Sequence, residues 1–521
     1  MDTPHVPVSL HPDPPGDRRD QVAGDGRPRS SGPSTIDEPA GRDQTGSGSI
    51  GLLAVLAGCQ FISVTSLLVV LTLLGQIGTS LHESRSGLGW LLIAGAIVGA
   101  IGNGLFPAAG SLLGQRQVMV GSMIFLAGGS AVSAIAPDAA VLLCGRIVSS
   151  FGIAAIVVCV AIVRELYSGT ALLRALGILA AIDGPANAAG FALGGIVQEV
   201  LHVDWRAVFW VIAAVSAAMA VAAAAVIPGV RQRATGRADL PGGLLLAGAL
   251  VVLLLPITDG GQWGWTSGRV VALLLGGVTL LAVWVGVELR TREPMVQLRV
   301  FSRPGVTSGC LLFALLGGTF TVINVTVPGF LEAPHAAGGF GASVLRAGLS
   351  MVPFAAAMAP AAYVTSRLLR RCGPRPIVVA GLAIEVVALG LLGILHHSVP
   401  EVVLLAALFG VGYGGLLPPV YALIVRRAHA DEAGTSVGLS GVGSSVAGAV
   451  VAAVATALLA HADILVDHVP VSASTGYVSV WLLGAVLAAA GLSIVLAQGR
   501  LRRGRLRRRR VHFEGAAESR P

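Results

Sequence analysis

Lysine is missing from the chain: all 35 basic residues are Arg. A Walker-type phosphate loop closes on a Lys, and a Schiff-base enzyme needs an amine. Both chemistries are excluded, so the chain is read as a non-enzyme whose energy comes from elsewhere than a phosphate-loop ATPase. Charge of either sign is scarce. Only 12% of the 521 residues are charged and 54% are hydrophobic, with a mean hydropathy of +0.80. Soluble domains carry about 25% charged residues, so this chain belongs in a bilayer. Aromatics make up only 5%. A cavity lined by small and aliphatic side chains is therefore expected, which suits an apolar or amphipathic guest better than a sugar. Cysteines are few. Cys59, Cys144, Cys159, Cys310 and Cys372 lack metal-ligand spacing and read as apolar filler without a disulfide. No cofactor or metal is expected.

What the chain has in abundance is apolar runs. Crossing about 30 Å of hydrocarbon takes about 20 mostly apolar residues. Fourteen runs qualify: 50–73, 88–109, 117–136, 140–163, 175–197, 207–228, 240–257, 269–287, 306–330, 345–364, 376–395, 402–425, 434–460 and 478–498. Arg placement tests that count, because cytoplasmic segments are enriched in Arg and Lys. With the N-terminus inside, inner segments and tails hold 30 Arg, and outer loops with their margins hold four: Arg85, Arg206, Arg269 and Arg346. Arg146 lies within a span. The reading is an all-α, multi-pass protein of the plasma membrane with both termini cytoplasmic.

The ends are polar. Residues 1–48 lack an apolar stretch and read as a disordered cytoplasmic tail rather than a cleaved signal. Residues 499–521 carry the run "RLRRGRLRRRR" (Arg500 to Arg510). It reads as a topology anchor in preference to a surface for anionic lipid or RNA, so no nucleic-acid partner is expected. Outer loops carry seven His, including His396, His397 and His461. They read as exposed loop residues, with a surface metal or pH-sensing role as the alternative.

Ionisable groups near the bilayer centre cost at least a few kcal/mol (about 2.5 or more) and need a reason. Three stand inside spans: Arg146 in span 4, Asp183 in span 5 and Glu385 in span 11. The amides Gln60, Asn103, Asn187 and Asn324 join them as candidates for a substrate cavity. Span 5 is the most informative, "IDGPANAAGFALGG" (Ile182 to Gly195). Asp183, Asn187, Gly190 and Gly194 follow steps of four, three and four, one narrow stripe of a helix. Gly184 and Gly195 flank it, and Pro185 removes a helical hydrogen bond. Such a stripe packs closely on another helix or serves as a gating hinge. Packing does not require a carboxylate, so Asp183 is the first candidate for a proton carrier. Arg146, in the outer third of span 4 with Ser149 and Ser150 on its face, lies about eight residues from the depth of Asp183, roughly 12 Å. A direct pair is not expected; a water-filled cavity between them, or outward snorkelling of Arg146, is. Glu385 faces the cavity or makes a structural hydrogen bond.

Four stretches resemble the major facilitator superfamily, and within it the fourteen-span drug/proton antiporters (EmrB/QacA type). "GFALGG" (Gly190 to Gly195) is similar to the antiporter motif of span 5. "GRIVSSFG" (Gly145 to Gly152) is similar to the span-4 motif whose embedded Arg maps to Arg146. "DGGQWGWTS" (Asp259 to Ser267) with "ELRTREPMVQLRVF" (Glu288 to Phe301) resembles the join around spans 7 to 9. "YVTSRLLRRCGPRP" (Tyr363 to Pro376) resembles the second-half copy of the loop after span 2. That likeness assigns a cytoplasmic loop motif to Gly110, Arg116, Arg371, Gly373 and Arg375, and a gating motif to Gly184, Pro185, Gly190, Gly194 and Gly195. The chain departs in three places. Gly114 stands where the first loop carries Asp, Phe191 where the antiporter motif carries Pro, and span 1 has Gln60, Ser63, Thr65 and Ser66 but no acid. Asp183 is then the substitute proton site.

The resemblance implies a monomer with two six-helix bundles at 49–228 and 306–498, joined by a two-helix insert and cytoplasmic linker at 229–305. Its partners would be protons, the lipid bilayer and a small-molecule substrate, exported by proton antiport with the proton gradient as energy source. Asp183 would carry the proton, Arg146 would be its electrostatic partner and Glu385 a second acid. The alternatives are a proton-independent facilitator or exporter of one metabolite, and a membrane sensor or scaffold that transports nothing.

Overall fold

The computed structural model describes residues 47–83, 85–167, 169–229, 239–291, 294, 306–425, 433–466 and 469–518. The expected disordered tail up to residue 46, and most of the linker at 292–305, lie outside the described residues. Among the described residues fourteen helices follow one another. They are α1 (Ser47–Leu81), α2 (Arg85–Leu113), α3 (Gln115–Ala134), α4 (Ala139–Leu166), α5 (Gly169–Gly195), α6 (Arg206–Val226), α7 (Leu240–Trp263), α8 (Gly268–Arg290), α9 (Val306–Glu332), α10 (Val344–Cys372), α11 (Pro374–Leu392), α12 (Val399–Val425), α13 (Ala433–His461) and α14 (Ser474–Glu518). Thirteen are long and apolar enough to cross a membrane, and α2 carries a shorter apolar stretch, Gly87–Asn103.

Each expected run corresponds to one helix, and the differences have local causes. α6 stops at Val226 because Ile227, ahead of Pro228, is extended at φ −73 and ψ 122, as a residue before proline prefers. α14 continues through the basic run to Glu518, so the backbone of the expected tail is helical there. Two irregular turns were not foreseen: a 3-10 turn at Phe151–Ala154 inside α4 and a π-turn at Ile196–Val200 that extends α5. The segment between α13 and α14, read as plain loop, forms an antiparallel hairpin of β1 (Asp463–Val466) and β2 (Val469–Ser472). Four-residue strands are too short for a period-2 pattern to announce them.

Within the first bundle α1 packs on α5 and α6, and α3 packs on α4 and α6. In the second, α9 packs on α13 and α14, while α12 packs on α10 and α11. The bundles meet along two seams, α2 on α13 and α5 on α10. α7 lies across the first seam, against both α2 and α13, and α8 packs on α7. Val271, Leu275, Val278 and Val283 of α8 are exposed, an apolar face suited to acyl chains. Lipid offers no hydrophobic drive for helix association, so small residues that allow close approach do that work.

The loop motif appears twice in the same geometry. Gly114, between α2 and α3, has φ 96 and ψ 140. Gly373, between α10 and α11, has φ 73 and ψ 172. Only glycine adopts such a backbone without strain. Two residues after each stands an Arg that reaches the C-terminal part of its bundle's sixth membrane-spanning helix. Arg116 donates to the Ala224 carbonyl of α6, and Arg375 donates to the Val495 carbonyl of α14 at 2.9 Å. Gly110 lies against the Gln115 side chain, and Arg371 is exposed. Gly114 therefore acts as a turn residue in the place where the family carries an acid. Arg116→Ala and Arg375→Ala should each destabilise the protein by about 1 kcal/mol, read as a lower melting temperature in detergent.

Candidate functional site

The small-residue stripe of α5 faces α1. A Cβ at Gly190 would come 2.8 Å from Leu68 Cβ, and one at Gly194 would overlap Thr72. Thr65 Oγ1 donates to the Ala186 carbonyl at 3.1 Å. This fit carries Asp183 to the deep face of α1, where Gln60 Nε2 donates to both Asp183 Oδ1 (2.7 Å) and the Leu179 carbonyl (3.0 Å). Asp183 is half-buried, and no cation pairs with it among the described residues. Gln60 and Asp183 were separate candidates in the sequence. The bond between them joins residues 123 positions apart, beyond any spacing rule. α5 stays helical through Pro185.

Arg146 is buried, and its Nη1 donates to the Ser66 carbonyl of α1 at 3.3 Å. Its Nε has no partner among the described residues. The hydroxyls of Ser149 and Ser150 turn back to the Arg146 carbonyl. Gln60 and Ser66 are six residues apart on α1, about 9 Å along the axis. Arg146 and Asp183 thus use the same helix at different depths, without an ion pair.

Glu385 is fully buried between α9, α11 and α12. Its Oε2 accepts from Thr319 Oγ1 at 3.2 Å, and its Oε1 has no partner among the described residues. A Cβ at Gly412 would stand 3.2 Å from Glu385 Cγ, so the acid occupies a close seam of the second bundle. The other amides are also engaged. Asn103 Nδ2 donates to Ser445 Oγ at 3.1 Å, across the α2–α13 seam. Asn187 and Asn324 each donate to a carbonyl four residues back on their own helix, Asp183 and Phe320. The carbonyl oxygens of both side chains are buried without a partner among the described residues.

α9, α10 and α12 bring aromatic rings together in the second bundle. The rings of Phe320 and Tyr413 lie 4.9 Å apart, those of Phe313 and Tyr421 5.1 Å, and Phe354 and Phe409 extend the group. α5, which carries Asp183 and Asn187, packs against α10 and α12, two of the helices that carry these rings. Composition counts aromatics but does not say where they gather. The usable signal was the four-residue step of Phe409 and Tyr413, which puts both rings on one side of α12.

The α5–α10 seam is close enough for backbones to touch. A Cβ at Gly184 would lie 2.5 Å from the Ala355 carbonyl oxygen. One at Gly195 would overlap Leu345 Cα, and one at Gly348 would overlap the Phe191 carbonyl. Val64, Leu68, Ala186 and Phe191 of the first bundle share a hydrophobic core with Val322, Val327 and Phe354 of the second. Among the outer histidines, His396 packs on Phe330 and Trp481 and bonds the Leu392 carbonyl at 3.1 Å, a structural placement. No group of three or more His, Cys, Asp or Glu among the described residues is arranged to hold a metal.

Comparison with known proteins adds three findings. The family model described as Major Facilitator Superfamily matches residues 55–330 and 309–516. The chain is 27% identical over 436 residues to the tetracenomycin C resistance and export protein of Streptomyces glaucescens, covering 82% of this chain and 80% of that one. It is 29% identical over 472 residues to a puromycin resistance protein of Streptomyces alboniger, covering 84% and 90%. Among solved structures, a human organic anion transporter aligns with a TM-score of 0.57 at 16% identity, covering 86% of this chain and 98% of that one, a likeness of fold alone.

Proposed function

The chain belongs to the major facilitator superfamily, and from that premise we propose that it exports a hydrophobic or amphipathic small molecule by proton antiport and alternating access. The observation that carries this reading is the half-buried Asp183 carboxylate, held by Gln60 and carried on α5, a helix that packs against α10 and α12 of the second bundle. The names of the similar proteins, which export tetracenomycin C or give resistance to puromycin, support drug efflux. Asp183 takes up and releases the proton, Arg146 sets the field from a depth about 9 Å away along α1, and Glu385 is a second acid. With both termini inside, the close α5–α10 contacts at Gly195 and Gly348 lie toward the outer face. The conformer is then closed outward, and the protein works as a monomer in the plasma membrane.

In such a fold the substrate binds between the halves near the midplane, and the halves rock around it. Coupling requires a group whose protonation changes the relative stability of the two openings. Asp183 meets that need: ionised, it accepts the Gln60 amide, and protonated, it loses much of that attraction. Removing the donor in Gln60→Leu should cut coupled efflux about tenfold, the cost of one hydrogen bond to a charged group. An accumulation screen in a pump-deficient host, with and without an ionophore, tests the reading. An antiporter stops concentrating its substrate outside when the proton gradient collapses. A facilitator goes on moving it downhill, and that result would replace the proton-coupled reading.

A further inference from the structure

Glu199 lies outside the acid, amide and aromatic groups described above, yet it makes a side-chain bond between the bundles. Its Oε1 accepts from the Leu345 backbone N–H at 2.7 Å. Leu345 is the second residue of the first turn of α10, a position whose N–H has no partner within the helix. The next N–H, that of Arg346, is met locally by the Ser343 hydroxyl at the N-cap. Leu345 N–H is met from the other bundle.

Three features bring the carboxylate there. The π-turn at Ile196–Val200 rotates the end of α5 away from the regular helical direction, and such turns are often found at functional sites. Gly195 admits Leu345 Cα against the α5 backbone, and Gly348 admits the Phe191 carbonyl. Glu199 itself is half-buried, so its bond is partly shielded from water. A carboxylate on a backbone N–H is a charge-assisted bond, stronger than a neutral one.

We propose that Glu199 is the latch of the outer gate: a positioning residue that holds the α5 and α10 ends together by capping α10 across the seam, and lets go when the bundles part. The inference rests on the alternating-access reading. In the parted state Glu199 and the Leu345 N–H both turn to water, so the bond favours the closed form by roughly tenfold in population. The acceptor oxygen carries the effect, together with its placement by the π-turn.

The test is a distance measurement on the full chain in nanodiscs. Spin labels go on cysteines placed at Pro137 and His397, exposed residues of the α3–α4 and α11–α12 loops. The background has its five native cysteines replaced and is checked for export activity. The parent should show one dominant short distance. Glu199→Ala should raise the fraction at longer distance about tenfold. Glu199→Gln, whose amide oxygen still accepts from Leu345, should restore most of the parent distribution, whereas Glu199→Leu, of similar bulk but with no acceptor, should open the gate as Ala does. The proposal is overturned if Glu199→Ala superimposes on an exporting parent, or if Gln opens the gate as far as Ala. Failure of the transport reading is separate: it would show as a parent that exports nothing.

Discussion

Asp183→Asn is expected to reduce proton-driven efflux about a hundredfold, on the scale set by losing one positioned acid–base group, while the protein still reaches the membrane. The amide has the carboxylate's shape, and its oxygen can still accept from Gln60 Nε2, which now meets Asp183 Oδ1 at 2.7 Å. The close contacts of Gly190 and Gly194 on α1 do not involve the side chain that changes. Folding should therefore survive, and only the ability to gain and lose a proton disappears. The measurement is substrate efflux from loaded proteoliposomes under an imposed pH gradient, with a trapped dye reporting proton movement. Exchange of substrate between equal concentrations should persist, because rocking and binding do not need the proton. Undiminished substrate-driven proton movement in the Asn variant would remove Asp183 from the mechanism.

The second large effect is expected at Gly348. A methyl there would overlap the Phe191 carbonyl, a backbone atom that cannot swing aside as a side-chain tip could. Gly348→Ala must push α10 away from α5 at the end where Gly195 also touches Leu345. The outer seam would fail to close, and net export should fall at least tenfold, since roughly 1.4 kcal/mol of overlap is enough for that shift. Gly177→Ala is the control: it lies on the same helix as Gly195, and a Cβ there meets nothing within 4 Å. Comparing the two in a resistance assay, with surface expression measured, separates seam closure from general damage. Equal activity of both variants would mean that the seam tolerates separation.

The helices were legible because each apolar run is long enough to cross a bilayer. Asp183 was legible for a related reason: a carboxylate is costly in that setting and stands out. Its partner Gln60 was visible only as one of several polar residues in spans, since pairing depends on how α1 lies on α5. Gly114 looked like a lost acid, and its positive φ shows a turn requirement that composition does not carry. Glu199 sat at the end of a predicted span beside a loop, where acids are ordinary. Only the π-turn and the contact with α10 give it a role. The aromatic group of the second bundle was hidden by a low total, because three helices converge to build it.

The paired Gly-x-Arg turns have a mechanical consequence. Gly114 with Arg116 and Gly373 with Arg375 occupy the same step of each bundle and clasp the same carbonyl-bearing end of its last helix. Each bundle thereby fastens the start of its third helix to the far end of its sixth span, so a pull on either helix is passed to the other and the half turns as one body.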